Sequence, residues 1–287
     1  MSYANFIPAL WNEGINRDLQ RHCVFVEDCN RTYEGSVKKL GESVTILGVG
    51  KPTIHKIAKN ARGRLNDAEV VEDTSVIMYI NQMDYFRYTV DDIDKRQAVE
   101  GLKGALEAET SEALACSVDT YVASFAVDES VTRLYGDAPV KVVADRNDAT
   151  GVYVLDILDL AIQRLYENDV NDNAKIVVTV SPRFYTLFKR AYTVLDTDNS
   201  GELKNGKVGM YGNVIVKRSN SVHKTDNGTV DNMMIRTQRA IAFAQPETFT
   251  EAQRAKDSFA DEVRGYILYD AKVVRPKEII NINVKYA

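Results

Sequence analysis

Residues 92–126 read DIDKRQAVEGLKGALEAETSEALACSVDTYVASFA, and this stretch decides the fold prediction. Apolar side chains recur in it every three or four residues, with Thr110 filling one turn, which places them on one face of a helix. They are Val99, Leu102, Leu106, Leu114, Val118, Tyr121 and Phe125. Asp91, Asp92 and Asp94 predict a cap and favourable first-turn charges. At about 1.5 Å per residue this spine helix is roughly 50 Å long, more than one compact domain needs.

The chain after the spine helix predicts a mixed domain. Residues 153–167 have the apolar spacing of a second helix, and 175–180 form a buried-type strand. Ser181 followed by Pro182 predicts the start of another helix, because serine caps and proline suits the first helical position. Further strands are predicted at about 213–217, 233–237, 240–244, 263–269 and 279–285, with a polar stretch at about 250–262. The predicted fold class is α+β.

The chain before the spine helix predicts an arm and a projecting hairpin. Trp11, the only tryptophan, lies in an N-terminal segment whose apolar residues fit no single helical face. Residues 42–49 and 75–80 have strand patterns, with turn-forming residues between them. Because an isolated two-stranded hairpin is marginal in water, we expect this one to need a partner surface.

Composition excludes several classes of protein. The 287 residues are 45% hydrophobic and 27% charged, with a formal net charge of −5. Such weak acidity argues against a protein that grips nucleic acid by neutralising phosphates. No apolar run is long enough to span a membrane, and no signal peptide is recognisable. The three cysteines indicate a reducing compartment, so we expect synthesis in the cytosol.

Two segments imitate ligand-binding motifs and fail on chemistry. Gly48-Val-Gly50-Lys51 lacks the spacing and the Ser/Thr of a phosphate loop, so a turn is predicted there. Residues 196–201 (Asp-Thr-Asp-Asn-Ser-Gly) resemble the opening of a calcium loop, but Lys207 stands where a bidentate glutamate belongs. A polar surface turn is the favoured interpretation, and added calcium is expected not to change the melting temperature.

No catalytic, cofactor or metal site is predicted. His22, Cys23 and Cys29 are grouped in sequence but lack a fourth ligand, so buried thiols are the favoured interpretation. No nucleophile–base signature and no isolated carboxylate pair in an apolar setting is recognisable.

Several segments, in order along nearly the whole chain, resemble the major capsid (coat) proteins of tailed bacteriophages. They are Phe6–Trp11, Val24-Phe25, Asn30–Gly35, Gly41–Ile46, Asp84–Lys95, Ser181–Tyr185, Asn205–Val214 and Phe259–Pro276. The resemblance implies the Hong Kong ninety-seven-type fold. Its parts would be an N-terminal arm (1–39), an extended hairpin loop (40–75), a peripheral domain with the spine helix (76–144 and 251–287) and an axial domain (145–250).

The resemblance also implies a function. The chain would be a structural subunit, not an enzyme, that assembles with itself into hexamers and pentamers of an icosahedral head. It would enclose packaged double-stranded DNA without reading its sequence, work with a scaffolding protein and a portal, and reside in the virion after assembly in the host bacterial cytoplasm. Because the chain starts at the arm, a separate scaffolding protein or an already processed form is implied. The alternatives are an encapsulin-like nanocompartment shell and a cytosolic α+β enzyme or binding protein without a legible motif.

Charge suggests where neighbouring subunits meet. Between residues 51 and 66 the side chains of Lys51, Lys56, Lys59, Arg62 and Arg64 carry +5 with no acidic residue, which leaves −10 for the rest of the chain. Like charges this close repel unless an acidic surface meets them. We therefore expect the hairpin tip to dock on the start of a neighbour's spine helix, at Asp91, Asp92, Asp94 and Glu100. The arm with Trp11 is a second candidate contact, and a solvated or DNA-touching loop is the alternative for the tip.

Overall fold

Three sheets and three α-helices make up the described part of the chain in the computed structural model, namely residues 23–34, 43–49, 73–91, 102–171, 173–194, 209–254 and 260–286. The helices are α1 (Leu102–Ser124), α2 (Val154–Glu167) and α3 (Pro182–Val194). The strands are β1 (Ser43–Val49), β2 (Asp73–Tyr79), β3 (Gln82–Asp91), β4 (Thr132–Arg133), β5 (Val140–Val143), β6 (Val152–Tyr153), β7 (Ile176–Val180), β8 (Gly209–Tyr211), β9 (Val214–Arg218), β10 (His223–Thr225), β11 (Val230–Thr237), β12 (Ile241–Arg254), β13 (Ala260–Val273) and β14 (Ile279–Lys285). The predicted α+β class is confirmed.

The largest sheet has nine strands and a central order of β5-β14-β11-β7-β9. Every residue of β7 and β11 is buried, which explains why β7 reads as a continuous apolar run. Helix α2 packs its apolar side chains against β14 and α3. Helix α3 starts as predicted, because the backbone N–H of Phe184 donates to Oγ of Ser181 at 3.3 Å.

The second sheet has three antiparallel strands in the order β12-β13-β3. Helix α1 covers one face, where the rings of Tyr121 and Tyr269 meet edge to face with centroids 5.6 Å apart. The predicted apolar stripe is confirmed in the described part of the helix, since Leu114 and Val118 are buried. Thr110 occupies its turn of the stripe by donating its hydroxyl to the Leu106 carbonyl at 2.6 Å.

The third sheet is the predicted hairpin, in which β1 pairs antiparallel with β2. Its base packs within the subunit, and its core consists of Val44, Ile46, Met78, Ile80, Ala242, Ala244 and Leu268. A surface from the same subunit thus supplies part of the partner that the hairpin needs. Residues 50–72, which include the predicted tip, lie outside the described residues.

Several expectations are corrected by the strand pairing. Asp91 does not begin the helix, because its backbone pairs with Ala260 as the last residue of β3. Gly48 lies within β1 opposite Thr74 and forms no turn. The polar stretch at 250–262 is largely strand, because β12 continues to Arg254 and β13 begins at Ala260.

The last strand also changes its place. The prediction grouped residues 279–285 with the spine helix, whereas β14 lies inside the nine-stranded sheet, antiparallel to β11 and parallel to β5. All six residues from Ile279 to Val284 are buried, so both faces of this strand are covered, as expected for a strand in the middle of the sheet.

Candidate functional site

The face of the three-stranded sheet opposite α1, called the outer face below, exposes a strip of apolar side chains. Tyr85 of β3 lies directly opposite Tyr266 of β13, which in turn lies opposite Phe249 of β12. Side chains of directly paired residues share one face, and the rings of Phe249 and Tyr266 stack with centroids 5.4 Å apart. Met83 extends the strip along β3. Tyr85 is 76% exposed, Met83 49% and Phe249 41%, so water covers a row of large apolar groups.

Ion pairs flank this strip. Arg87 Nε lies 2.7 Å from a carboxylate oxygen of Glu262, and Arg264 Nη2 lies 2.8 Å from one of Glu251. The hydrogen bond from Arg87 lowers the pKa of the Glu262 carboxyl below its usual value. The two arginines and two glutamates beside the strip therefore neutralise each other. The apolar strip is the part of the outer face that water covers without a contact from the described part of the chain. An apolar patch with a polar rim is typical of a protein contact surface.

Gly265 lets the strands carrying this strip approach closely. A Cβ atom at this position would lie 2.5 Å from the carbonyl oxygen of Phe249 and 2.6 Å from the ring of Phe86. Phe86, on the strand directly opposite, therefore covers the glycine with its ring. Only glycine fits here without displacing the strands.

The face toward α1 is held by two tyrosine–carboxylate pairs. The Tyr121 hydroxyl donates to Asp270 Oδ1 at 2.7 Å, and the Tyr269 hydroxyl donates to Asp84 Oδ2 at 2.9 Å. Burial, and then the adjacent carboxylate, raise the pKa of both tyrosines. Ser117 of α1 also donates to Asp84, at 2.6 Å. These bonds hold α1 against the inner face. The outer face is covered by the hairpin around Leu268 and is exposed at Tyr85, Met83 and Phe249.

The hairpin carries a second exposed apolar pair. Ile77 and Tyr79 of β2 are 45% and 53% exposed, whereas Met78 and Ile80 point to the other side and are buried. The alternation follows from the two-residue period of a strand. The described part of the hairpin thus has one face packed on its own subunit and one face open.

The cysteines near the N-terminal end are buried thiols, as predicted. Burial raises the pKa of Cys23 to about 12 and also raises the pKa of Cys29. The Cys29 thiol donates to the carbonyl of Phe25 at 3.4 Å.

Within the described ranges no three His, Cys, Asp or Glu side chains are arranged to hold a metal ion. The described helices include none long and apolar enough to cross a membrane.

Of the residues predicted for the contact between subunits, only Asp91 is described, at the end of β3. Trp11, Lys51, Lys56, Lys59, Arg62, Arg64, Asp92, Asp94 and Glu100 lie outside the described residues, as do His22 and the calcium-like turn at 196–207. The contact predicted between the basic tip and the acidic residues therefore stays a prediction.

The sequence interpretation missed the outer face altogether. The strand β3 reads QMDYFRYTVD, in which large apolar and charged side chains occur at both odd and even positions. The sequence pattern of β3 therefore does not show which face of the strand is buried and which is exposed. The available signal was a run of aromatic and β-branched residues without glycine or proline, which favours a strand of some kind.

Comparison with solved structures gives matches over nearly the whole chain. A structure from Mycobacterium phage Che8 is 30% identical, with a TM-score of 0.67 and 90% of each chain covered. The capsid structure of the cyanophage P-SCSP1u is 15% identical, with a TM-score of 0.65, covering 92% of this chain and 88% of that one. A virus-like particle from Pyrococcus furiosus shares the fold at 8% identity and a TM-score of 0.58, covering 98% and 100%. No family model and no curated protein matches the chain.

Proposed function

Because this chain belongs to the major capsid protein family of tailed bacteriophages, with the Hong Kong ninety-seven-type fold, we propose that it forms the hexamers and pentamers of an icosahedral head around packaged double-stranded DNA. It is a structural subunit of the capsid shell, and its place is the virion. The observation that carries the proposal is the 30% identity over 90% of both chains on a shared fold. We assign it no catalytic step and no cofactor.

The exposed apolar surfaces support assembly with further copies. Tyr85, Phe249 and Met83 on the outer face, and Ile77 and Tyr79 on the hairpin, occupy different parts of the subunit. Two different patches that meet between copies form a heterologous contact, which closes into a ring when the rotation between copies allows it. Rings of such contacts are what hexamers and pentamers require.

Particle size tests the proposal. The purified chain, alone and with its scaffolding protein, is examined by sedimentation velocity and by electron microscopy. Closed shells of phage-head size, or rings of five and six subunits, are expected. Small shells filled with cellular cargo would favour an encapsulin-like compartment instead. A discrete low oligomer at all protein and salt concentrations would contradict the proposal and favour an enzyme or a binding protein.

We further propose that the basic hairpin tip docks on an acidic surface of a neighbour. The tip segment 51–66 carries +5 in a chain of net charge −5. The acidic residues at the end of β3 and beyond it (Asp91, Asp92, Asp94 and Glu100) are the leading candidate surface. Asp91 is the last residue of β3, which is an edge strand of its sheet. Repeated over a lattice, modest ion pairs fix the register of neighbours more than they add affinity.

A charge reversal tests this docking. The triple variant Lys56→Glu, Lys59→Glu, Arg62→Glu is expected to keep the circular dichroism spectrum of the subunit and to block shell formation. The control reverses three exposed charges elsewhere, Arg146→Glu, Lys224→Glu and Arg239→Glu, and therefore changes the net charge equally. If the tip variant assembles as well as the control in low salt, the docking proposal is wrong.

The remaining partners follow from the same role. We propose a scaffolding protein and a portal as assembly partners, and packaged DNA as content that the shell encloses without recognising its sequence. A net charge of −5 fits a wall that DNA does not adhere to. We keep the four parts of the domain division proposed from the sequence and move their boundaries to follow the sheets. Strands β4, β5 and β14 join the axial domain with the nine-stranded sheet, and β12 joins the peripheral domain with the three-stranded sheet.

A further inference from the structure

The segment Cys23–Asn30 crosses the junction between the two larger sheets and is held there by buried charges. Asp119 of α1 is 3% exposed, and its carboxylate accepts hydrogen bonds from three consecutive backbone N–H groups. The donors are Val24, Phe25 and Val26, at 2.6, 3.1 and 3.3 Å. The spine helix thus binds this segment through its backbone, in the way that a carboxylate caps a helix.

Arg236 of β11 holds the same segment from the opposite side. It is completely buried, and its guanidinium donates to the carbonyls of Phe25 at 2.6 Å and of Asp28 at 2.8 Å. It also contacts the Cys29 sulfur at 3.3 Å. Asp119 thus binds the N–H groups of the segment and Arg236 binds its carbonyls. The charge of Arg236 only partly compensates the burial of Asp119, which raises the pKa of that carboxyl.

Two further attachments complete the junction. The buried carboxylate of Asp28 lies 2.8 Å from Nζ of Lys175, which precedes β7, and 2.5 Å from Nζ of Lys217 on β9. Asn30 then forms a parallel bridge to the start of β12, with its N–H 2.8 Å from the Ile241 carbonyl and its own carbonyl 2.9 Å from the Phe243 N–H. Eight residues are thereby joined to both sheets and to the spine helix.

We propose that Cys23–Asn30 is a clasp that sets the angle between the nine-stranded sheet and the sheet that carries α1, with Asp119 and Arg236 as its positioning residues. An apolar contact tolerates sliding, whereas three aligned N–H donors on one carboxylate permit a single arrangement. In a shell subunit the angle between the two sheets determines how steeply neighbours tilt. The proposal rests on the proposed shell function and deepens it, since it names the contacts that select the curvature of the shell.

The test uses Asp119→Asn in the full chain, because the amide keeps the shape of the side chain but removes the charge and places an N–H₂ group against the backbone donors. Amide hydrogen exchange at Val24, Phe25 and Val26 in the unassembled subunit is expected to accelerate by roughly tenfold or more, with β7 and β11 unchanged. Shells of the variant are expected to show a broadened distribution of diameters by cryo-electron microscopy. Glu112→Gln, at an exposed position of the same helix, removes the same charge and is expected to change neither readout.

Two further variants separate positioning from folding. Asp119→Glu restores the charge and is expected to restore the diameters in part. Lys175→Met removes one of the two ammonium groups that contact Asp28. Because Lys175 is half-exposed, the variant subunit is expected to fold and to broaden the distribution of shell diameters less than Asp119→Asn does.

Unchanged exchange at residues 24–26 in Asp119→Asn, or faster exchange with shells of uniform wild-type diameter, would overturn the clasp. If the wild-type chain forms no shells, the proposed function fails and the role in curvature falls with it. The exchange data then still decide whether Asp119 holds the segment.

Discussion

The nine-stranded sheet and the three-stranded sheet differ in how much of their surface is buried within the subunit. In the first, β7 and β11 are buried along their whole length. In the second, one face is closed by α1, and the other exposes Tyr85, Met83 and Phe249 to water. The central strands of the first sheet are thus covered within one chain, whereas the second leaves large apolar side chains uncovered. We therefore expect the first sheet to contribute mainly to stability and the second mainly to association.

The largest effect is expected from the buried core that residues of the nine-stranded sheet share with α3. Phe184→Ala in α3 removes a completely buried ring, and we expect the free energy of unfolding of the unassembled subunit to fall by about 3–5 kcal/mol. Phe249→Ala makes the same change on the outer face, where the ring is 41% exposed, and is expected to cost less than about 1 kcal/mol. Urea denaturation of both variants measures the contrast, and equal losses would abolish the distinction between the sheets.

The charged side of the junction is expected to give the next effect. Burial by itself raises the pKa of Asp28, but hydrogen bonds from Lys175 and Lys217 outweigh it and hold the pKa below its ordinary value of 3.8. A lowered pKa stabilises the folded state above the ordinary value, and this contribution is lost as the pH falls through the folded-state pKa. Asp28→Asn is therefore expected to cost about 1.5–3 kcal/mol at neutral pH, and less on acidification below 3.8.

Unfolding in urea at neutral pH and at about pH 3 measures this difference. Asp137→Asn is the matched control, because its side chain is 98% exposed and its substitution is expected to have no comparable effect at either pH. A cost for Asp28→Asn that is independent of pH would show that the carboxylate charge is not what stabilises the junction.

Close packing within the open sheet is tested at Gly265. The alanine Cβ of Gly265→Ala would collide with the Phe249 carbonyl and the Phe86 ring, both closer than 3 Å. Overpacking of this kind typically costs about 1–3 kcal/mol. A thermal melt of the free subunit is the measurement, and a melting temperature equal to that of the wild type would mean that the two strands separate freely.

The smallest effect on the free subunit is expected from Tyr85→Ser, and it gives the sharpest contrast. Because Tyr85 is 76% exposed, its loss is expected to change the free energy of unfolding by no more than about 0.5 kcal/mol. The critical concentration for assembly is nevertheless expected to rise by roughly tenfold, since aromatic residues dominate contact surfaces. Thr89→Ser, on an exposed position of the same strand, is the control. Normal assembly of Tyr85→Ser would remove the outer face from the contact surfaces.

The same contrast explains which parts of the fold were predictable. Strand β7 and helices α2 and α3 follow from local patterns, because a buried run, an apolar stripe and a Ser-Pro start each have one simple structural meaning. Strand β3 does not, since its two faces are both partly apolar and partly charged, and only the position of α1 distinguishes them. The place of β14 depends on pairing with β11, whose paired residues lie 43 to 55 positions earlier in the chain, and no local pattern encodes such a partner.

The candidate site was less predictable than the fold. Charge counting directed attention to the tip and to the acids around Asp91, whereas the described surface that lacks a cover is apolar and lies on β3, β12 and β13. The clasp also could not be predicted from the sequence. Asp119 and Arg236 are separated by more than a hundred residues, and no sequence spacing links them. Their meaning depends on a backbone segment that passes between them in three dimensions.

Asp270 has a mechanical role in the subunit. One of its oxygens accepts the Asn81 N–H at 3.0 Å and the other accepts the Tyr121 hydroxyl at 2.7 Å, so the root of the hairpin is fastened to the spine helix. Only Ile80 and Asn81 separate β2 from β3, and β3 pairs with β13 over its whole length. A pull along the axis of β3 would therefore load the bonds between β3 and β13 together, in shear, and would not open them one after another. Asp270 thus couples the root of the hairpin to the spine helix of the same chain.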